Sequence, residues 1–303
     1  MTRPAAILIV AVAIALSGCS IKRTAVNMVG DALSDGGGAY AQDDDPELIR
    51  DATPFGLKTY ESLLATSPEH QGLLLAAAGG FVGYAYLLGQ DLEMNESADA
   101  KHARAERRRI SKLFLRGRDY AMRGLEVSHP GFGASFARDP KAALATTTKA
   151  DAAFLYWAGA GWAGAVGSRK GDPKMIADLP NAAALVARIL EVDETYDGGS
   201  AHEFFITYEG SRPGGSAAVA REHYKRALEL SKGERASVHL ALAEAVSERE
   251  QNLQEFRSLL RLALAVDPDR VPDLRLVNTI SIRRARWLED RIPELFVGAS
   301  LTE

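Results

Sequence analysis

The chain has 303 residues, of which 47% are apolar and 25% charged, with 36 Lys and Arg set against 40 Asp and Glu. That is enough apolar material for one large or two small cores, and the single cysteine, Cys19, excludes an intramolecular disulfide. A net charge of −4 leaves no basic excess to neutralise phosphates, which argues against a nucleic-acid partner.

After Arg3, residues 5–16 form an uncharged apolar run followed by small residues, the grammar of an export signal. Twelve residues are too few for an ordinary membrane-spanning helix. Leu16-Ser17-Gly18-Cys19 resembles the lipobox of bacterial lipoproteins, in which the cysteine is acylated and the chain is cut before it. This predicts a signal peptide at 1–18 and lipid attachment at Cys19, with acyl chains contributing about 0.8 kcal/mol of anchoring per buried methylene. Ser20, standing where an aspartate would signal inner-membrane retention, points to the outer membrane. Residues 19–45, with Gly36, Gly37 and Gly38 after a short helix at 25–33, read as a tether. Asp43, Asp44 and Asp45 before Pro46 suit the positive end of a helix that opens the domain at 46–303.

From Glu47 onward the pattern is helical. Phe55, Leu57, Tyr60, Leu63 and Leu64 form an amphipathic face that ends at Ser67 and Pro68. Residues 73–88 are apolar nearly all round, so this helix belongs in a core or an oligomer interface, and Gly79, Gly80 and Gly83 allow close packing. The segment 93–124 carries Arg104, Arg107, Arg108 and Arg109, which read as a solvated face laced with Glu106 and Asp119, or else as a site for anionic lipid or a partner. His129, Pro130 and Gly131 end it, and 131–148 reads as a loop with a short helix.

Residues 151–167 are too short an apolar run to span a bilayer and read as a buried helix. Trp157 and Trp162 on it, five apart and among glycines, fit either core packing or the wall of an apolar ligand cavity. Together with Tyr156, and with His202, Phe204, Phe205 and Tyr208 on a glycine-bracketed helix at 201–209, they are the candidate cavity residues. Further helices are expected at 181–192, 217–232, 234–249, 254–266 and 274–295.

Ala220, Tyr224 and Ala227 share one helix face in a small-aromatic-small order, the pattern of a tetratricopeptide second helix. Phe256, Leu260, Ala263 and Pro268 repeat that ladder, as do Gly56, Tyr60, Leu63 and Pro68, while Lys232 stands where the first would have its proline. Steps of 62, 64, 38 and 36 residues between Leu63, Leu125, Ile189, Ala227 and Ala263 replace a regular period. The fold class read from this is all-α, a divergent tetratricopeptide-like helical-hairpin repeat with insertions, or a bundle without repeats. No zinc-protease, nucleophile-elbow or phosphate-loop motif occurs, and the six histidines are scattered without metal-ligand spacing. No catalytic residue, metal or cofactor is therefore expected.

Several stretches taken together, GGSAHEFFITYEGSRPGG, AREHYKRALELSKG, FLYWAGAGWAGAV and the segment DPELIRDATPFGLKTYESLLATSPEHQGLLLAAAGGFVGYAY, resemble the TatT family. These are the tetratricopeptide-like T-components associated with tripartite ATP-independent periplasmic (TRAP) transporters. The resemblance extends from about Asp45 to Phe296. It implies a periplasmic, lipid-anchored homotrimer that partners the transporter's solute-binding protein, handles a small hydrophobic ligand and performs no reaction. The alternative from the residues alone is a scaffold lipoprotein for envelope proteins.

Overall fold

In a computed structural model of the chain, residues 23–33, 38–95, 99–169 and 171–299 are described. The expected signal peptide at 1–18 and the expected lipid-attachment residue Cys19 lie outside them. Every regular element among the described residues is helical. Helix α1 covers residues 23–33 and α2 covers Gly38–Ala41. Next come α3 (Pro46–Leu64), α4 (Gln71–Met94) and α5 (Ala100–Ser128). After the short α6 (Phe132–Arg138) and α7 (Pro140–Leu144) lies α8 (Ala152–Gly167). The short α9 (Pro173–Ala177) leads to α10 (Leu179–Val192), α11 (Ser200–Ser211) and α12 (Ala217–Leu230). The chain closes with α13 (Ala236–Leu242), α14 (Leu253–Leu264), α15 (Arg275–Asp290) and α16 (Ile292–Leu295).

Local chemistry sets the boundaries. Asp45 caps α3 by accepting from the Leu48 amide at 2.9 Å, with Pro46 in the first turn. Asp99, Ser216 and Asn252 cap α5, α12 and α14 in the same way. The expected segment at 93–124 is broken by the cap at Asp99, so the basic residues belong to a helix that starts at Ala100. Arg104, Arg107, Arg108 and Arg109 are exposed on it, and Arg109 pairs with Glu106 at 3.2 Å. Much of the stretch read as a tether is helical here. Asn27 of α1 accepts from the Ser67 hydroxyl at 2.7 Å, and Asp31 lies 3.3 Å from His70.

Consecutive helices pack against each other from α3 to α5 and from α10 to α15, with α5 passing to α8 and α8 to α10. This succession is compatible with stacked hairpins. It sorts the core into two main lobes, with a smaller cluster of Val82, Ala85, Ile110, Phe114 and Ala165 where α4, α5 and α8 meet. The first gathers Leu73, Leu74, Leu125, Leu155, Leu185 and Ile189 from α4, α5, α8 and α10. Its helices approach closely because glycines face side chains: a methyl group on Gly124 would overlap the Phe154 ring, and one on Gly159 would overlap Val186. Helix α4 is long and apolar enough to cross a membrane, but Leu73, Leu74, Ala77 and Ala78 on it are fully buried in this lobe. The second lobe gathers Ala220, Ala227, Val238, Phe256, Leu260 and Leu288 from α12 to α15. The small and aromatic residues of two of the ladders face the core here, with Ala220, Ala227, Phe256 and Ala263 at 0% exposure, which is compatible with the repeat pattern. Lys232, at the position of the missing proline, takes a left-handed conformation with Gly233, so α12 ends in a tight reversal.

One expected core residue is misplaced. Phe55 is 81% exposed, because α3 turns Leu57 and Leu64 inward and Phe55 lies on the opposite side.

Candidate functional site

Helix α11 joins the two lobes, while α15 touches α3 and α4 only sparsely. Between the lobes, one stripe of α4 stays without a close neighbour along part of its length. Gly79, Gly83, Tyr86 and Gln90 follow at spacings of four, three and four, so they share one face. At its inner end, a methyl on Gly79 would sit 3.1 Å from the Trp157 indole. One turn on, a methyl on Gly83 would meet no atom within 4 Å, contrary to the close packing expected there. Tyr86 keeps 40% of its surface accessible, yet desolvation drives its phenol pKa up, with Glu244, Glu203 and Arg284 all acting on it. Gly83 and Tyr86 thus leave accessible surface on this stripe, which we read as one side of a recess between the lobes.

Its other walls follow from the same pattern. On α8, the Tyr156 ring meets Trp157 edge-on at 5.1 Å and Tyr196 at 5.9 Å, and desolvation again pushes its phenol up. Glu203 of α11 acts electrostatically on both Tyr86 and Tyr156, so it lies near both. After α13 the backbone widens into one π turn at Ala243–Ser247, a local expansion common at functional sites, and this turn carries Glu244. Arg284 of α15 donates to Glu244 at 2.7 Å, pairs with Glu93 at 3.0 Å and stacks over Trp287 at 4.4 Å. Burial raises the carboxyl pKa of both Glu203 and Glu244, the nearby arginines opposing it.

A second cluster lies where α11 meets α12. His202 and His223 face each other through their Nδ1 atoms at 2.8 Å, and His202 Nε2 reaches Glu194 at 3.0 Å. The Arg226 guanidinium, donating to both Glu194 oxygens at 2.8 and 2.7 Å, is the main cause of a carboxyl pKa brought down to about 2. Desolvation holds both imidazoles below their ordinary range. A neutral pair with one shared proton between the Nδ1 atoms fits this environment and fastens α12 to α11.

The candidate residues therefore divide. Tyr156 and Trp157 border the recess. Phe204 stacks on Tyr208 at 6.0 Å and packs edge-on against Phe205 at 5.3 Å, forming an aromatic band on α11. Phe205 is 8% exposed and stacks on His223 at 5.1 Å, so it and His202 serve the α11–α12 joint. Trp162 points away from Trp157, lying 6.4 Å from Phe136 with Arg118 over its ring at 4.8 Å. Tyr86, Glu203, Glu244 and Arg284 carried no signal in the sequence beyond helical spacing. Among the described residues, no His, Cys, Asp or Glu group is arranged to hold a metal ion.

The profile of the TRAP transporter T-component family matches residues 42–296. The chain belongs to that family. The T-component is thus an accessory part of a TRAP transporter, and the resemblance seen in its sequence holds across nearly all of the described domain. It is also similar to an uncharacterized protein of Treponema pallidum (strain Nichols), 27% identical over 303 residues that cover 93% of this chain and 94% of the relative.

Proposed function

We propose that this T-component is a periplasmic lipoprotein, anchored through Cys19 in the outer membrane, that receives a small ligand with an apolar body in the recess between its lobes. It exchanges that ligand with the transporter's solute-binding protein and works as the homotrimer that the family resemblance implies. The observation that carries this reading is the open stripe of α4. Gly83 leaves room where its neighbours pack tightly, and Tyr86, Tyr156 and Trp157 supply aromatic surface around it. Aromatic walls with a few convergent polar groups are what a small-molecule site requires. The lipobox supports the anchor, and the family membership supports a transporter partner.

Affinity capture from a periplasmic extract, with the delipidated protein as bait, tests the partner. Recovery of a TRAP-type solute-binding protein is the expected result, and recovery of envelope assembly factors alone would overturn it.

A further inference from the structure

Helix α1 is docked the wrong way round for a helix that packs only on its own chain. An amphipathic helix on a globular domain buries its apolar stripe and leaves its polar face to water. On α1, Ala25, Met28, Val29, Ala32 and Leu33 share one face by their spacing, and all five are exposed, Met28 at 68%, Val29 at 50% and Leu33 at 37%. The opposite face, carrying Asn27, Gly30 and Asp31, is the one that the domain holds. The Asn27 side chain accepts from the Ser67 hydroxyl at 2.7 Å, and its carbonyl lies 3.2 Å from His70 Nε2. Asp31 lies 3.3 Å from the same nitrogen. Gly30 is buried against this site, where a methyl group would come within 2.8 Å of His70 and 2.9 Å of Leu73. These contacts fix the rotation of α1, so the apolar stripe is turned outward by the docking itself.

The position of α1 in the chain says what covers the stripe. Arg23 follows Cys19 by four positions, and four residues reach at most about 14 Å when fully extended. An acyl chain on Cys19 therefore keeps the start of α1 within that distance of a bilayer surface. Lys22 and Arg23 place two cations between the anchor and the stripe, at the level of the phosphates. Arg23 is exposed and lies 3.8 Å from Glu69, which leaves its guanidinium open to the surface.

Resting on the reading of Cys19 as the lipid attachment point, we propose that the apolar stripe of α1 lies in the interface of the phospholipid bilayer that holds the anchor. The helix is then a second membrane contact, and its polar contacts to Ser67 and His70 set how the whole domain is presented from the membrane.

The test uses the full chain, processed by its host and reconstituted in vesicles of phosphatidylethanolamine and phosphatidylglycerol. Cys19 is the one cysteine of the chain, so once it is acylated the thiol introduced by Met28→Cys is the one that takes a fluorescent label. Leu33→Cys gives a second point on the stripe. Arg108→Cys supplies the aqueous reference: Gln71 donates to Ser128 at 2.9 Å beside the α1 end of α4, and Arg108 lies 20 residues before Ser128, about 30 Å away along α5. Both stripe labels should be quenched by nitroxide lipids and shielded from iodide, with shallow and deep nitroxides placing them about 5–10 Å into the boundary of headgroups and acyl chains. Quenching by iodide as strong as at the reference position would overturn the proposal. Protection from both quenchers would overturn it too, and would assign the stripe to a second copy of the chain. In either case acyl chains found on Cys19 by mass spectrometry leave the lipoprotein reading standing, whereas an unacylated Cys19 would bring down both.

Discussion

His239 gives the sharpest stability test. It is 4% exposed in the second lobe, where its Nδ1 accepts from the Tyr224 hydroxyl at 2.9 Å and so ties α13 to the α12 helix. Desolvation lowers its pKa from 6.5 to about 4. The unfolded chain therefore binds a proton that the folded chain refuses, and stability falls as pH drops through 6.5 and levels off below about 4. The linkage relation gives a loss of about 2 kcal/mol between pH 7 and pH 5, and about 3 kcal/mol by pH 4. His239→Asn keeps an acceptor close to the position of Nδ1 and removes the titration. Urea unfolding of both proteins at pH 7 and pH 5 isolates this residue, because His202 and His223 are common to the two and cancel in the difference. The variant should lose about 2 kcal/mol less than the parent over that interval. An equal loss in both would refute the assignment of a neutral, buried His239.

Other substitutions follow from burial and geometry. Phe256→Ala, at a fully buried position beside Phe296 at 4.9 Å, should cost about 3–5 kcal/mol in chemical denaturation. Phe55→Ser, at an 81% exposed position, should stay within about 0.5 kcal/mol. Gly124→Val forces a branched side chain into the Phe154 ring and should cost about 1–3 kcal/mol, read as a lower melting temperature. Glu194→Gln removes a carboxylate whose pKa is depressed by Arg226. That stability is present above the ordinary carboxyl pKa and is lost as pH falls toward about 2, so the variant should show a flatter acid limb in an unfolding series. With side chains 37% and 41% exposed, the Glu194–Arg226 pair is largely screened by solvent, so its removal should change stability at pH 7 little.

The helices and their ladders were legible because they depend on local spacing. Ala220, Tyr224 and Ala227 read as one buried face, and they form one. Phe55 shows the limit of that reasoning, since an apolar residue near the edge of a stripe does not reveal to which side the helix is rotated. The recess was not legible because its walls come from α4, α8, α11, the π turn and α15, brought together across nearly 200 residues. Tyr86, Glu203 and Arg284 each look like an ordinary helical residue until the lobes assemble. Gly83 resembled its neighbours Gly79 and Gly80, and only the placement of α3 and α8 leaves it facing open space while they are filled. The histidines seemed scattered for the same reason: the Asp197–Gly199 turn, with three consecutive left-handed residues, swings α11 so that His202 meets His223.

Filling the recess tests the central claim most directly. Gly83→Phe adds a ring where a methyl group would touch nothing and replaces a glycine inside a helix, so the fold should be retained. Both proteins are expressed in the native host, delipidated and examined by native mass spectrometry. The account predicts trimers in both, a retained small molecule on the parent and none on the variant. The same molecule held equally by both proteins would contradict it.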